Sequence, residues 1–169
     1  SGSYSVAIGF DSGYYATGSY NTFVGSEAGK GGTTSAPYSS GQNNVAVGYR
    51  ALTAFTSAAE STAIGYQSGD SITTGIRNVL VGAYSGDSLT TGARNVAIGT
   101  HALGSATTAN LNVAIGQGAM ESAAASVAFE GAIAIGKDTL TALNSTDANG
   151  TIAIGHQAGM AITSGAKNT

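Results

Sequence analysis

The chain has 169 residues, enough for one ordinary domain, with a hydrophobic fraction of 42% and a formal net charge of −3. This balance excludes intrinsic disorder, which needs low hydrophobicity and high net charge. Six Lys and Arg residues cannot form a phosphate-tracking patch over this length, so we expect no nucleic-acid partner. No apolar run approaches the roughly 20 residues of a membrane-spanning helix, so we expect no membrane insertion by this segment.

A four-residue motif recurs along the chain. It consists of an apolar residue or Thr, a small or apolar residue, Ile or Val, and Gly, which we call the anchor glycine. The anchor glycines are Gly9, Gly25, Gly48, Gly65, Gly82, Gly99, Gly116, Gly136 and Gly155. They are 16, 23, 17, 17, 17, 17, 20 and 19 residues apart. Such regular self-similarity indicates a repeat architecture.

Each motif predicts a strand, because β-branched residues ended by Gly favour strands and the spacing leaves no room for long helices. A second strand is predicted in stretches such as 71–74 and 88–91, with Gly75 and Gly92 supplying positive φ for turns and Asn78 an Asx turn. Stacked units then form two parallel sheets. We expect one all-β domain over 1–169, a β-solenoid of about nine coils and roughly 40 Å in length.

The two faces of the predicted strands differ in side-chain size. Val96 and Ile98 share one face and are expected to line the core, whereas Ala97 points the other way. Small apolar residues at these middle positions suggest close approach of another chain. The candidate subunit interface is therefore Ala46, Ala63, Ala97, Ala114, Ala134 and Ala153. The alternative is a monomeric solenoid with a flat alanine-lined face. On the interface hypothesis, Ala97→Arg disrupts assembly, whereas Ala58→Arg, expected in a coil loop, is tolerated.

Units such as Asn95-Val96-Ala97-Ile98-Gly99, with a small residue three positions later and a Thr-Gly and Asn before the next strand, resemble two families. These are the head repeats of trimeric autotransporter adhesins and the repeats of phage tail fibre proteins. The resemblance implies a left-handed parallel β-roll with three chains side by side, and hence a homotrimer. It also implies that the chain is part of a longer fibrous protein of the virion tail or the cell surface.

The expected function is a structural or receptor-binding segment of a trimeric phage tail fibre that attaches to the host cell surface. The alternative is the head of a bacterial trimeric surface adhesin, and a remote alternative is an ice-binding solenoid with Thr pairs in successive coils. A host glycan or protein is the expected partner. No nucleophile, metal cluster or phosphate loop is convincing, so we expect no enzyme, cofactor or metal; His101 and His156 are expected to be turn residues.

The gap between Gly25 and Gly48 is six residues longer than the common period, which predicts a surface insertion. Insertions in repeat proteins often map to binding faces, although a functionless loop remains the alternative. The candidate receptor-binding residues are Lys30, Pro37, Tyr38, Tyr49 and Tyr66. Tyr49 and Tyr66 occupy equivalent positions one coil apart and are expected to stack, so an aromatic ladder at the roll edge is the competing interpretation. Asp70 and Asp87 are also equivalent and need nearby opposite charges.

Overall fold

The computed structural model describes residues 3–32, 38–123, 127–146 and 149–163, and every regular element in these ranges is a β-strand. Each copy of the motif forms one three-residue strand. The strands are β1 Val6–Ile8, β2 Thr22–Val24, β3 Val45–Val47, β4 Thr62–Ile64, β5 Val79–Val81, β6 Val96–Ile98, β7 Val113–Ile115, β8 Ile133–Ile135 and β9 Ile152–Ile154.

The nine strands form a single parallel sheet in sequence order, β1 to β9. Equivalent residues of the motif pair across neighbouring rungs, for example Val96 with Val113 and Ile98 with Ile115. Each coil therefore adds one rung, and at about 4.8 Å per rung the sheet is about 40 Å long. The predicted all-β solenoid is confirmed.

The second strand of each coil was predicted wrongly. Within the described ranges the stretches 71–74 and 88–91 contain turns and bends. The backbone N–H groups of Thr73, Thr74 and Gly75 all donate to the carbonyl oxygen of Thr90, at 2.9, 3.3 and 3.4 Å. Three donors that converge on one acceptor form a tight corner, whereas a ladder gives each donor its own acceptor. One sheet and a turning backbone therefore close each coil.

The assignment of the strand faces was also wrong. Ala46, Ala63, Ala97, Ala114 and Ala134 are 0% exposed within the single chain, and Ala153 packs against the same core. The first and third residues of each strand point outward instead. Because the alanines face the interior of their own coil, they have no surface to offer a second chain. Ala58 is fully buried too, so it is a core residue and Ala58→Arg would not be tolerated.

Larger side chains fill the rest of the interior. Phe23 and Phe55 lie 5.6 Å apart between ring centroids, and they form one continuous core with residues from the other coils. The fully buried large residues of this core also include Leu52, Ile72, Leu80, Leu89, Leu103, Met120, Phe129, Leu140 and Leu143. A solenoid buries its apolar surface between stacked units in this way.

Glycine is needed at two kinds of position. The anchor glycines have φ values of 127–140°, a region that L side chains rarely adopt. Gly75 and Gly92 were expected to have positive φ, but they do not. A Cβ atom on either would instead overlap the carbonyl oxygen of the neighbouring rung. Close approach between rungs, and not turn geometry, selects glycine there.

Buried asparagines connect the rungs at one corner. Asn95 Nδ2 donates to Asn78 Oδ1 at 3.1 Å and to the Ala109 carbonyl oxygen at 2.8 Å. The backbone N–H of Asn95 donates to the same Asn78 Oδ1 at 3.0 Å. Asn112 repeats the pattern with Asn95. The expected Asx turn at Asn78 is thus replaced by an amide ladder that satisfies polar groups inside the coil.

Candidate interaction surfaces

The outer side of the sheet carries two parallel rows of side chains, which together we call the sheet face. The first row contains Val6, Thr22, Val45, Thr62, Val79, Val96, Val113, Ile133 and Ile152. The second contains Ile8, Val24, Val47, Ile64, Val81, Ile98, Ile115, Ile135 and Ile154. Only Thr22 and Thr62 are polar, so the sheet face is an almost continuous apolar surface.

The middle of the sheet face is exposed as well as its ends. Ile64 and Val79 are 39% exposed and Ile98 is 38% exposed, although each lies on a strand with neighbours on both sides. The rows lie about 7 Å apart and extend for about 40 Å, so the strip between them covers about 300 Å². A strip of this size is comparable to the largest apolar patch of a typical monomer, and such patches are often functional.

Sequence reasoning missed the sheet face because both strand faces are apolar. A usable signal was the middle position, which is Phe23 in β2 and Leu80 in β5. A large residue would not fit at a position where two chains approach each other closely. Inside a coil it fits if a neighbouring side chain is correspondingly small.

The insertion is described only at its two ends, and Pro37 lies outside the described residues. Lys30, at the first end, is held by two carboxylates: its Nζ lies 3.0 Å from Asp11 Oδ2 and 3.5 Å from Glu27 Oε1. The hydrogen bond to Asp11 is the main cause that raises the pKa of Lys30. Lys30 is therefore partnered within its own chain.

Tyr38, at the second end, forms an aromatic cluster with Tyr14 and Tyr15 of the first coil. Tyr14 and Tyr15 are 4.7 Å apart between ring centroids with an interplanar angle of 84°, and Tyr15 is 5.7 Å from Tyr38. The three rings line an open pocket of about 450 Å³ together with Gly13, Ala16 and Thr17. Tyr14 and Tyr15 were not predicted as site residues; their signal was an adjacent pair of tyrosines one rung from the insertion.

Tyr49 and Tyr66 form a different arrangement. Their ring centroids are 5.4 Å apart at an interplanar angle of 26°, which confirms the predicted stacking. Tyr66 contacts Tyr84 edge-to-face at 5.2 Å, and Tyr84 stacks on His101 at 4.8 Å. These four residues form an aromatic ladder along one corner. The structure does not bring Tyr49 or Tyr66 into the Tyr38 cluster.

Asp70 and Arg77 each have an ion-pair partner within the chain. Arg50 Nη2 lies 3.3 Å from Asp70 Oδ2, and Arg77 Nε lies 2.8 Å from Glu60 Oε2. Burial raises the pKa of Asp70, although Arg50 opposes the shift. Burial likewise raises the pKa of Asp87, whose Oδ1 is buried without a hydrogen-bond partner among the described residues.

The first threonine of each pair contributes to the stacking of the rungs. Thr56, Thr73 and Thr90 each donate their Oγ1 proton to the carbonyl oxygen of the equivalent residue one rung along, at 3.0, 3.1 and 3.1 Å. These hydroxyls support the stacking of the corner, whereas the second threonines of two pairs, Thr74 and Thr91, are exposed.

No protein family, curated protein or solved structure matches this chain. Among the residues that the structure describes, no group of three or more His, Cys, Asp or Glu side chains could hold a metal ion. The same residues include no helix that is long and apolar enough to cross a membrane.

Proposed function

We propose that the chain is a segment of a homotrimeric extracellular fibre, namely a phage tail fibre that attaches to the host cell surface. The observation that carries this proposal is the sheet face, an apolar strip that extends over all nine rungs and has no partner within the described chain. The place of action is the virion tail.

Burial of the sheet face requires an elongated partner with the same repeat along its length. A second and third copy of this chain supply such partners, since each copy repeats with the same rise of about 4.8 Å. Closed cyclic symmetry lets every copy bury its face without leaving an open end, which avoids runaway assembly. Three copies, as opposed to two, follow from the resemblance of the repeats to trimeric fibre proteins.

Sedimentation equilibrium at micromolar concentration tests the assembly, and the expected mass is three times that of the chain. A monomer under these conditions would refute the proposal. Fluorescently labelled trimer should then bind to bacterial cells that serve as phage hosts. Attachment to animal cells or extracellular-matrix proteins, without attachment to bacteria, would favour the bacterial surface adhesin instead.

A further inference from the structure

The pocket lined by Gly13, Tyr14, Tyr15, Ala16, Thr17 and Tyr38 lies where the first coil meets the insertion. We call it the tyrosine pocket. Its volume of about 450 Å³ is within the range of small-molecule sites, about 300–1,000 Å³. It is separate from the sheet face, because none of its residues belongs to a strand.

Backbone hydrogen bonds hold the tyrosine pocket in shape. The N–H of Tyr15 donates to the Lys30 carbonyl oxygen at 2.7 Å, and the N–H of Thr17 donates to the Ser39 carbonyl oxygen at 2.8 Å. The hydroxyl of Thr17 also donates to the carbonyl oxygen of Tyr38 at 3.1 Å. These bonds connect the first coil to both described ends of the insertion. A preformed site loses little conformational freedom when a ligand binds.

The lining defines the chemistry of the ligand. None of the six residues is charged, and the nearby Lys30 is neutralised by Asp11 and Glu27. Tyr14 is 66% exposed and Tyr38 is 47% exposed, and no side-chain hydrogen bond to the hydroxyl of either comes from the described residues. The pocket therefore offers aromatic surface and free phenolic hydroxyls without charge. A suitable ligand combines apolar C–H surface with many neutral hydroxyls.

Ring orientation distinguishes this cluster from the aromatic ladder. Tyr14 and Tyr15 meet edge-to-face, and Tyr38 is tilted by 31° relative to Tyr15, so neither pair of rings in the pocket is stacked in parallel. In the ladder, Tyr49 stacks on Tyr66 and Tyr84 stacks on His101, so ring faces are covered by the neighbouring rung. A flat ligand can stack on a tyrosine of the pocket more readily than on the ladder.

We propose that the tyrosine pocket binds a neutral pyranose, the terminal sugar of an uncharged glycan. This inference rests on the proposed receptor-binding function and assigns its ligand class. The apolar face of the sugar ring stacks on a tyrosine, and its hydroxyls bond to the phenolic oxygens. A trimer carries three such pockets, so weak single-site binding is strengthened on a glycan-coated surface.

Saturation-transfer NMR with the methyl glycosides of glucose, galactose, mannose and N-acetylglucosamine at about 10 mM tests the proposal, since a single shallow site is expected to have millimolar affinity. At least one neutral glycoside should receive saturation and bind more strongly than glucuronic or sialic acid. Tyr38→Ala and Tyr14→Ala should each weaken binding about five- to tenfold. Tyr49→Ala is the matched control, because Tyr49 lies outside the pocket and its exposed fraction of 43% is similar to the 47% of Tyr38. This variant should change binding less than twofold.

The absence of transfer to all four glycosides, a preference for the acidic sugars, or equal losses in the pocket and control variants would each overturn the proposal. Sedimentation of the same samples separates this result from the proposed function. A trimer that binds no sugar refutes the pocket alone, whereas a monomer that binds sugar refutes the assembly alone.

Discussion

The residue at the centre of a strand and the residue four positions after the anchor glycine compensate for each other in size. Where the strand centre is large, the later residue is glycine; where the centre is alanine, the later residue is often large. The pairs are Phe23 with Gly29, Leu80 with Gly86, Ala46 with Leu52, Ala97 with Leu103, Ala114 with Met120 and Ala134 with Leu140. A Cβ atom on Gly86 would lie 2.8 Å from Leu80 Cδ2, so the two positions share one volume.

This shared volume makes the effects of Ala97→Leu and Leu103→Gly interdependent. Ala97→Leu alone overpacks the coil and should destabilise the protein by about 1–3 kcal/mol. Leu103→Gly alone leaves a cavity and should cost about 2–5 kcal/mol. The double variant recreates the combination of Leu80 and Gly86. The backbone at position 103 accepts glycine, because Leu103 has a φ of 55° and Gly86 has a nearly equal φ of 57°.

Chemical denaturation of the two single variants and the double variant measures the coupling. The double variant should be at least about 1 kcal/mol more stable than the sum of the single effects predicts. Ala83→Leu, outside the buried core, is the control and should change stability by less than about 0.5 kcal/mol. Additive effects of the two core substitutions would show that the positions do not share a volume.

The residue scale is also where sequence reasoning failed most clearly. The alternation of the strand faces was predicted correctly, but the inner and outer faces were exchanged. The reason is that the outer rows consist of β-branched residues, which are also typical of a core. Hydrophobicity cannot distinguish two apolar faces. The inverse size relation between positions such as Leu80 and Gly86 was present in the sequence. It could have identified the strand face that points into the coil.

Asp87 gives a prediction for the dependence of stability on pH. Burial raises its pKa above the ordinary value of 3.8, so the folded state binds a proton more tightly than the unfolded state does. Its contribution to stability is therefore most favourable below pH 3.8 and declines as the pH rises through the elevated pKa.

Asp87→Asn removes the ionisable group and retains the shape of the side chain. At pH 7 its melting temperature should exceed that of the wild type by about 1–2 °C, a small effect on the usual scale for a chain of this length. At pH 3 the two melting temperatures should coincide. Differential scanning calorimetry at both values measures the difference, and a variant less stable than the wild type at pH 7 would contradict the prediction.

At the scale of elements, the positions of all nine strands followed from the motif, because β-branched residues before an anchor glycine specify both the strand and its end. The second strand could not be predicted reliably. Stretches such as 88–91 have strand-like composition, yet their N–H groups converge on single carbonyl oxygens of the neighbouring rung. That convergence depends on the tight closure of the coil, which composition does not encode.

Ile98 tests the role of the sheet face, because it is 38% exposed in the middle of the second row. Ile98→Lys places a charge where a neighbouring chain is proposed to pack, at a cost of several kcal/mol if the charge is buried unpaired. The trimer should therefore dissociate. The single chain should retain its β-structure, since this side chain points away from the core.

Thr91→Lys is the matched control, since Thr91 is exposed and lies outside the strands. It should leave the trimer intact. Analytical ultracentrifugation and circular dichroism of both variants give the result. Trimers of equal stability for Ile98→Lys and Thr91→Lys would exclude the sheet face as the subunit interface.

At the scale of the whole molecule, the solenoid is a stack in which each strand contacts only its neighbours along the chain. Stability in such proteins is approximately a sum over units and the interfaces between them. A complete coil can therefore be removed if the register and the interior packing are preserved. Removal of 79–95, which is 17 residues, joins Asn78 to Val96 and keeps Ala97 with its own partner Leu103.

Removal of 83–99 deletes the same number of residues and also preserves the register, but it places Leu80 and Leu103 in one coil. Those two side chains compete for one volume, so this variant should be about 1–3 kcal/mol less stable than the first. Both chains should retain β-structure by circular dichroism, and denaturant titration measures the difference. Equal stability would show that the coils are interchangeable regardless of their interior residues, whereas an unfolded 79–95 deletion would show that stacking is not local. The two deletions thus separate the contribution of the repeat length from that of the side chains that fill each coil.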